Sequence, residues 1–214
     1  MIALESAQVS IQNVEVLRNF SIRIEAGAMV GLIGRNGAGK TTVMRTIMGH
    51  LPLQGGALHF DGTDLASAPS HARAALGIGY MPEDRGLVPE LTVEENICLP
   101  LWVSKNLALR QRLDFVYSVL PELLEMRERR AMLLSGGQQK MVALARALSV
   151  GTHLLLLDEP FEGVAPALSQ RLSDVVGKLR GGGLSVLISQ SDLNHSRDLL
   201  DAEIVIERGA NMPA

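Results

Sequence analysis

Short apolar runs alternate with stretches of helical periodicity along the chain, and this alternation predicts a mainly parallel β-sheet with helices on its faces. Residues 28–33 are almost all apolar, as in a strand buried on both faces, whereas residues 20–24 alternate as in a half-exposed strand. The dipeptide Asp61-Gly62 indicates a tight turn. The remaining predicted strands are the short apolar runs at residues 78–80, 154–157, 184–188 and 204–206.

The pattern becomes helical between residues 86 and 150. Thr92, followed by Glu95, predicts a capping box at the start of a helix that runs through Ile97. Apolar positions then recur at helical spacing in two further segments. These segments are residues 106–119, which Pro121 ends, and residues 138–148.

The two patterns together predict one domain over residues 1–214, because the chain has an ordinary single-domain length. We expect an α/β fold whose core comprises residues 1–85 and 150–214, with an antiparallel β portion near the N-terminus. The helical block, at about residues 86–149, is expected to be a subdomain inserted into that core.

Composition narrows the class of protein. Hydrophobic residues make up 47% of the chain and charged residues 20%, which suits a large core under a polar surface. The formal net charge of −3 argues against a dedicated nucleic-acid binder, because such proteins usually carry a basic face. Cys98 is the only cysteine, which excludes an internal disulfide and suits a reducing compartment.

The sequence predicts no membrane insertion. Residues 1–5 lack the basic start and apolar run of a signal peptide. The longest apolar candidate, Ile97 to Val103, contains Pro100 and is far shorter than the roughly 20 residues that a membrane helix needs. Any role at a membrane is therefore expected to depend on a partner.

A glycine-rich segment lies between the predicted strand at 28–33 and a helical pattern at 42–48. Lys40 can reach the β- and γ-phosphates of a nucleotide there, while the Thr41 hydroxyl can ligate Mg²⁺. A glycine-rich turn without a ligand is the alternative, which the flanking strand and helix disfavour. ATP and Mg²⁺ are therefore the expected ligands. The residues that match the phosphate-loop pattern, with the threonine that follows, are Gly34, Arg35, Asn36, Gly37, Ala38, Gly39, Lys40, Thr41 and Thr42.

Two carboxylates follow the apolar run at 154–157. A buried strand that ends in Asp158 and Glu159 brings both to the edge where parallel sheets bind ligands. Asp158 is expected to hold Mg²⁺, directly or through water. Glu159 is expected to act as the general base on the water that attacks the γ-phosphate. An apolar run before an acid is common by itself, so this prediction depends on the phosphate loop.

The segment Leu134-Ser135-Gly136-Gly137-Gln138 resembles the LSGGQ signature of ABC ATPases, and with the two motifs above it identifies the chain as a member of that family. The resemblance implies a P-loop NTPase fold over nearly the whole chain. It also implies that Ser135, Gly136, Gly137 and Gln138 close over ATP held by an opposite subunit, so that two chains enclose two nucleotides head to tail. A helix N-terminus with exposed N–H groups suits such an anion site.

Within the family, the chain resembles the smaller ATPase subunits of branched-chain amino-acid importers. The likeness lies in residues 34–42, 91–96 and 162–166, including Ala165 where most ABC ATPases have Asp. It implies membrane permease subunits, a second ATPase subunit and, indirectly, a substrate-binding protein as partners. It also implies a cytoplasmic location, peripheral on the inner face of the cell membrane. Whether the ATPase pair is a homodimer or a heterodimer stays open.

Three positions depart from the family pattern. Glu83 stands where Gln normally contacts Mg²⁺ and the attacking water; its carboxylate can still ligate the ion but offers no amide donor. Gln190, or Ser191 after a one-residue shift, stands where the family has a switch histidine. Ile11 stands near the position of the aromatic residue that stacks on adenine, which predicts weak selectivity among nucleotide bases.

The sequence therefore predicts an ATPase that powers a permease, as an importer of branched-chain or other hydrophobic amino acids. Glu159, Gln190 and Glu83 are its expected catalytic residues, and Thr41, Asp158 and Glu83 its expected metal ligands. The alternative is a passive nucleotide-binding half of an asymmetric pair, which Glu83 and Gln190 keep open. A soluble ABC ATPase that acts on DNA or ribosomes is disfavoured, because the chain has neither tandem domains nor a long coiled coil.

Overall fold

The computed structural model describes residues 2–104, 107–191 and 197–212, whose strands form two sheets. The strands are β1 (Ile2–Ile11), β2 (Val14–Ile24), β3 (Met29–Ile33), β4 (Gly55–Phe60), β5 (Thr63–Asp64), β6 (Ile78–Met81), β7 (Leu154–Asp158), β8 (Ser185–Gln190), β9 (Ala202–Glu207) and β10 (Ala210–Asn211). The helices are α1 (Lys40–Ile47), α2 (Ala72–Ala75), α3 (Val93–Val103), α4 (Leu109–Val119), α5 (Glu122–Glu125), α6 (Gly136–Val150) and α7 (Pro166–Lys178).

The larger sheet has the strand order β10-β9-β3-β8-β7-β6. Its neighbours from β9 to β6 pair in parallel, and β10 pairs with β9 in the antiparallel direction. The apolar runs of the sequence fall on these strands, so the prediction of a mainly parallel sheet is confirmed. Because β3, β8 and β7 run in parallel, their carboxyl ends meet at one edge of the sheet.

The smaller sheet is antiparallel, with the strand order β2-β1-β4-β5. It confirms the predicted antiparallel portion near the N-terminus. Asp61 and Gly62 form the turn between β4 and β5, and both have positive φ values, 46° and 80°. The sequence pattern predicted this turn, but it did not predict β1 as a strand.

Strand β7 shows why the middle strands are apolar throughout. Leu155 and Leu157 belong to an apolar cluster with residues of α3, α4, α6 and α7, whereas Leu154 and Leu156 belong to a second cluster with α1 and the antiparallel sheet. Side chains of a strand alternate between faces, so both faces of this sheet are covered. The larger sheet is therefore the middle layer of the fold.

Helices α3 to α6 lie between β6 and β7 in the chain, as the predicted helical insertion requires. The capping box is confirmed: the Glu95 amide donates to Thr92 Oγ1 at 3.2 Å, and the Thr92 amide donates to Glu95 Oε2 at 2.7 Å. The predicted helix through Ile97 is present as α3, which continues to Val103 with Pro100 inside it. The domain limits at residues 85, 86, 149 and 150 stay a prediction.

Neighbouring residues of α3 differ in solvent exposure, which shows which side of this helix faces solvent. Leu101 is 5% exposed and packs inside, while its neighbour Trp102 is 56% exposed. Within the three described ranges, no helix is long and apolar enough to cross a bilayer.

Candidate functional site

The glycine-rich segment forms the turn between β3 and α1, at the carboxyl edge of the larger sheet. Gly39 has φ +112°, a conformation that side-chain-bearing residues rarely adopt. At Gly34 an added Cβ would collide with the Ile206 carbonyl oxygen, so the close approach of β9 requires glycine. The turn is therefore built on two separate requirements for glycine, one of backbone angle and one of space.

Lys40 is the first residue of α1, and its side chain is almost completely buried. Its ammonium donates to the Gly34 carbonyl at 2.6 Å and to the Arg35 carbonyl at 3.2 Å. The same Nζ lies 2.9 Å from Glu159 Oε1. This contact is a buried ion pair between an ammonium and a carboxylate. The structure therefore brings the predicted phosphate lysine and the predicted base together.

The carboxylate of Glu159 sits where the charged form is disfavoured. Burial raises its pKa above the ordinary value of a glutamate, and the contact with Lys40 opposes that rise. Glu159 is the first residue after β7, and its φ of +49° turns the chain sharply away from the strand. Its amide donates to Ser189 Oγ at 3.0 Å, which ties the turn to the end of β8.

Asp158 is completely buried at the end of β7 and is held by two hydroxyl groups. Ser189 Oγ donates to Oδ1 at 2.6 Å, and the Tyr80 hydroxyl donates to Oδ2 at 3.3 Å. Burial and the nearby Asp158 raise the pKa of Tyr80, so its hydroxyl remains a donor. The orientation of the predicted metal ligand is therefore fixed from two neighbouring strands.

Two cavities open on this arrangement. The smaller one, of about 360 Å³, is lined by the phosphate-loop residues Asn36, Gly37, Gly39, Lys40, Thr41 and Thr42, with Val16, Glu83 and Glu159. The larger one, of about 740 Å³, is also lined by Thr41 and Glu83, and by Asp158 and Tyr80. The three predicted metal ligands therefore all line the larger cavity, and Thr41 and Glu83 also line the smaller one.

Two of the three residues that depart from the family pattern, Glu83 and Gln190, differ in their exposure. Glu83 is exposed in the loop after β6 and lines both cavities. Gln190 is 3% exposed as the last residue of β8, and its carbonyl accepts the Gly34 amide at 3.1 Å. Ser191 is exposed. Of the two alternatives for the switch position, Gln190 is therefore the one in contact with the phosphate loop.

The signature segment forms the N-terminus of α6. Ser135 Oγ accepts the Gln138 amide at 3.3 Å, and Gln138 Oε1 accepts the Ser135 amide at 2.9 Å. Ser135 and Gly136 are exposed, and none of Ser135 to Gln138 lines either of the two cavities. The hydroxyl therefore caps its own helix, and the segment contributes to neither cavity.

Three residues that support Asp158 and the turn at Glu159 were not predicted from the sequence: Ser189, Tyr80 and Lys140. Ser189 and Tyr80 are single polar residues at strand ends, and such residues carry no distinctive spacing. Lys140 offered a weak signal: three and four residues before Ala143 and Leu144, it lies on the face of α6 that is buried.

Known proteins match the chain along almost its full length. The ABC transporter family model matches residues 17–162. The chain is 33% identical over 209 residues to the high-affinity branched-chain amino acid transport ATP-binding protein BraG of Pseudomonas aeruginosa, covering 98% of this chain and 90% of BraG. It is 32% identical over 211 residues to the lipopolysaccharide export system ATP-binding protein LptB of Haemophilus influenzae, covering 98% and 88%.

A solved structure of a nucleotide-free ATP-binding cassette from an ABC transporter has the same fold. Its TM-score is 0.85 at 26% identity, and the match covers 100% of this chain and 90% of the other. The chain therefore belongs to the ABC transporter family, as an ATP-binding subunit. It is an ATPase, and the resemblance inferred from the signature is confirmed.

Proposed function

We propose that the chain binds ATP at residues 34–42, hydrolyses it with Glu159 as general base, and powers a membrane permease as one of two ATPase subunits. The observation that carries this proposal is the distance of 2.9 Å between Lys40 Nζ and Glu159 Oε1 beside the smaller cavity. Hydrolysis of a γ-phosphate needs a phosphate-binding cation and a base at one place. Lys40 supplies the first and Glu159 the second.

Thr41, Asp158 and Glu83 are the residues that would hold Mg²⁺. They offer a hydroxyl and two carboxylates, and oxygen atoms are the ligands that Mg²⁺ prefers. In the described part of the chain, no three acidic, histidine or cysteine side chains gather as a protein-only metal cage. That donor set suits an ion that shares its coordination with phosphate oxygens. When bound, Mg²⁺ would neutralise negative charge on those oxygens.

Glu159 meets the demands on a general base. Burial raises its pKa, which makes it a better proton acceptor than an ordinary carboxylate. Lys40 holds the carboxylate towards the phosphate loop. The side-chain amide of Gln190 is a suitable hydrogen-bond donor to the γ-phosphate. Glu83 lines the cavity, and its carboxylate is a suitable hydrogen-bond acceptor for the attacking water.

Two chains are proposed to act together. Ser135 to Gln138 form an anion-binding helix N-terminus, but they do not line the cavity at the phosphate loop of their own chain. A second subunit, identical or related, would bring its own phosphate loop to Ser135, Gly136, Gly137 and Gln138. ATP between the two chains would hold them closed, and its hydrolysis would release them.

The larger cavity is the proposed contact with the permease. Its lining includes Glu83, Asp84 and Gly86 of the loop after β6, with Pro100 of α3 and Arg146 of α6. The exposed Trp102 follows on α3 and adds an apolar contact. A groove beside Glu83 lets movement of a permease segment reach the ATP site. The chain would therefore lie in the cytoplasm, on the inner face of the cell membrane.

For the transported substrate we propose branched-chain or other hydrophobic amino acids, delivered by a substrate-binding protein. Residues 34–42, 91–96 and 162–166 support this choice, as does the match to BraG. The match to LptB, whose name refers to lipopolysaccharide export, is of similar identity and makes export the competing substrate assignment. Uptake of labelled leucine by cells with and without the chain separates the two: unchanged uptake with impaired lipopolysaccharide export would overturn the import proposal.

A passive half of an asymmetric ATPase pair is the second candidate function. Glu83 and Gln190 favour it, because both replace residues that the family uses at the reacting phosphate. In that case a partner subunit would carry most of the hydrolysis. The alternative differs from the main proposal in one measurable quantity, the turnover of the chain by itself.

The deciding experiment is Mg²⁺-dependent ATP turnover by the purified chain and by Glu159→Gln, with ATP binding measured in both. Turnover in the unmodified chain that falls about 100-fold or more in the variant, while binding survives, supports Glu159 as the base. Wild-type turnover in the variant would contradict it. Binding without turnover in the unmodified chain would favour the passive half.

A further inference from the structure

Lys140 is a buried cation whose hydrogen bonds run to main-chain carbonyls. It lies in the second turn of α6, five residues after Ser135, and is 3% exposed. Its ammonium donates to the Glu159 carbonyl at 2.9 Å and to the Glu162 carbonyl at 2.5 Å. Burying a charged group is costly, so a cation in this position calls for an explanation.

The turn that Lys140 binds is one that needs support. Glu159 has φ +49°, in the left-handed region that costs energy for residues other than glycine. Its amide donates to Ser189 and its carbonyl accepts from Lys140. Both peptide groups that flank the Cα of Glu159 are therefore fixed by neighbouring elements, β8 on one side and α6 on the other.

This double attachment decides the direction of the Glu159 carboxylate. The side chain leaves a Cα whose backbone angles the two hydrogen bonds hold, and it reaches Lys40 Nζ at 2.9 Å. If the Lys140 contact were lost, the turn could relax towards ordinary angles. The carboxylate would then swing away from the cavity, although the phosphate loop would keep its shape.

We propose that Lys140 is a positioning residue for hydrolysis, which links the signature helix to the carboxylate of Glu159. A second subunit that contacts Ser135 to Gln138 would shift α6 one turn before Lys140. Through Lys140, that shift would reach the backbone of Glu159. Closure of the pair would thus align the base. This inference rests on the proposed role of Glu159 as general base.

The test replaces Lys140 with the neutral, similarly long methionine and compares it with Arg112→Met. Arg112 is a matched control, because it also donates to main-chain carbonyls of α6, those of Leu148 and Ser149, at the far end of that helix. Each substitution removes one positive charge and its hydrogen bonds to main-chain carbonyls. Circular dichroism checks that both variants fold.

In Lys140→Met we expect kcat for ATP to fall roughly 10- to 100-fold, because displacement of a catalytic group by about 1 Å has effects of that size. The Kd of a non-hydrolysable ATP analogue should stay within about threefold of the unmodified chain, since the phosphate loop is untouched. Arg112→Met should keep both quantities. A folded Lys140→Met with unchanged kcat, or with kcat and affinity lost together, would overturn the proposal.

Two further variants keep the outcomes distinct. In a Glu159→Gln background, Lys140→Met should cause no additional loss of turnover, because the base it positions is already absent; an independent structural effect would add to the loss. If Glu159→Gln alone keeps full turnover, the proposed function fails before Lys140 is considered. If Lys140→Met does not fold, Lys140→Gln keeps a neutral amide NH2 that can donate to carbonyls but reaches less far than the ammonium, and its kcat should fall below that of the unmodified chain; unchanged kcat there contradicts the proposal.

Discussion

The phosphate loop and the signature loop are both glycine-containing turns at the N-terminus of a helix, yet the chain treats them differently. Lys40 of the first is 5% exposed and meets Glu159, from another element of the same chain. Ser135 and Gly136 of the second are exposed, and Ser135 bonds within its own capping box. One loop is integrated with the rest of the site, and the other is presented to solvent.

This difference shows how a single chain can carry two halves of different sites. A turn that must bind a highly charged ligand gains from a cation and carboxylates fixed around it, which requires burial and tertiary contacts. A turn that completes a site on another molecule has to remain accessible, so only its backbone shape can be prepared in advance. Helix capping supplies that preparation from neighbouring residues alone.

Replacement of Lys40 tests the buried phosphate loop and should have the largest effect. We expect Lys40→Ala to lower ATP affinity by about 1,000-fold or more, because a buried charge-assisted contact to phosphate is removed and Glu159 loses its partner. Equilibrium binding of a fluorescent ATP analogue measures this. Lys178→Ala, an exposed lysine at the end of α7, is the control and should bind normally. Normal affinity in Lys40→Ala would refute the phosphate-loop assignment.

A charge in the signature loop should affect turnover and leave binding intact. Gly136→Glu has room for its Cβ, which would lie 3.5 Å from Arg85, and it sets a carboxylate at the proposed anion site. We expect kcat to fall about 100-fold with the Kd for ATP within about threefold, since the loop serves another chain.

Mixing the two defective chains sharpens this prediction. Lys40→Ala provides an intact signature loop and Gly136→Glu an intact phosphate loop, so mixed pairs contain one complete composite site. If the chain works as a homodimer, the mixture should hydrolyse ATP faster than either variant alone. Turnover no faster than the sum of the separate variants would count against a head-to-tail homodimer.

Loss of the Ser189 hydroxyl should have a moderate effect. In Ser189→Ala, Asp158 Oδ1 loses a donor at 2.6 Å and the Glu159 amide loses its acceptor. We expect kcat to fall about tenfold and the free energy of unfolding to drop by about 1–3 kcal/mol, because buried groups are left unsatisfied. Denaturant titration and steady-state kinetics measure the two effects, and Ser118→Ala on an exposed site is the matched control. A wild-type kcat would show that Asp158 is held without Ser189.

The smallest expected change concerns the nucleotide base. Ile11 is 37% exposed at the end of β1, a strand that contains no aromatic residue. We expect the unmodified chain to bind ATP and GTP within about fivefold of each other. Ile11→Tyr should strengthen ATP binding by about 1 kcal/mol, the lower end for base–aromatic contacts, and calorimetry can detect this. Strong preference for ATP in the unmodified chain would contradict weak base selectivity.

The central strands of the larger sheet were predicted from the sequence, whereas β1 of the smaller sheet was not. The runs that became β3, β7 and β8 were found because strands buried on both faces need apolar residues throughout. β1 was missed, since Glu5 and Ser6 are exposed in succession and Ser6 has φ +50°, with shifts in pairing register that interrupt the alternation of period two. Helix α3 passed beyond Ile97 because its buried face outweighed Pro100.

What the sequence by itself determined is local: the glycine spacing of residues 34–39, the capping box at Thr92, and the two acids at the end of β7. Each depends on neighbours in the chain, so it can be read from a short segment. Only the tertiary structure decided that Lys40 meets Glu159, that Ser189 joins Asp158 to the Glu159 amide, and that Lys140 holds the Glu159 carbonyl. Those contacts join strands and helices distant in sequence, and their geometry is set by how the layers pack.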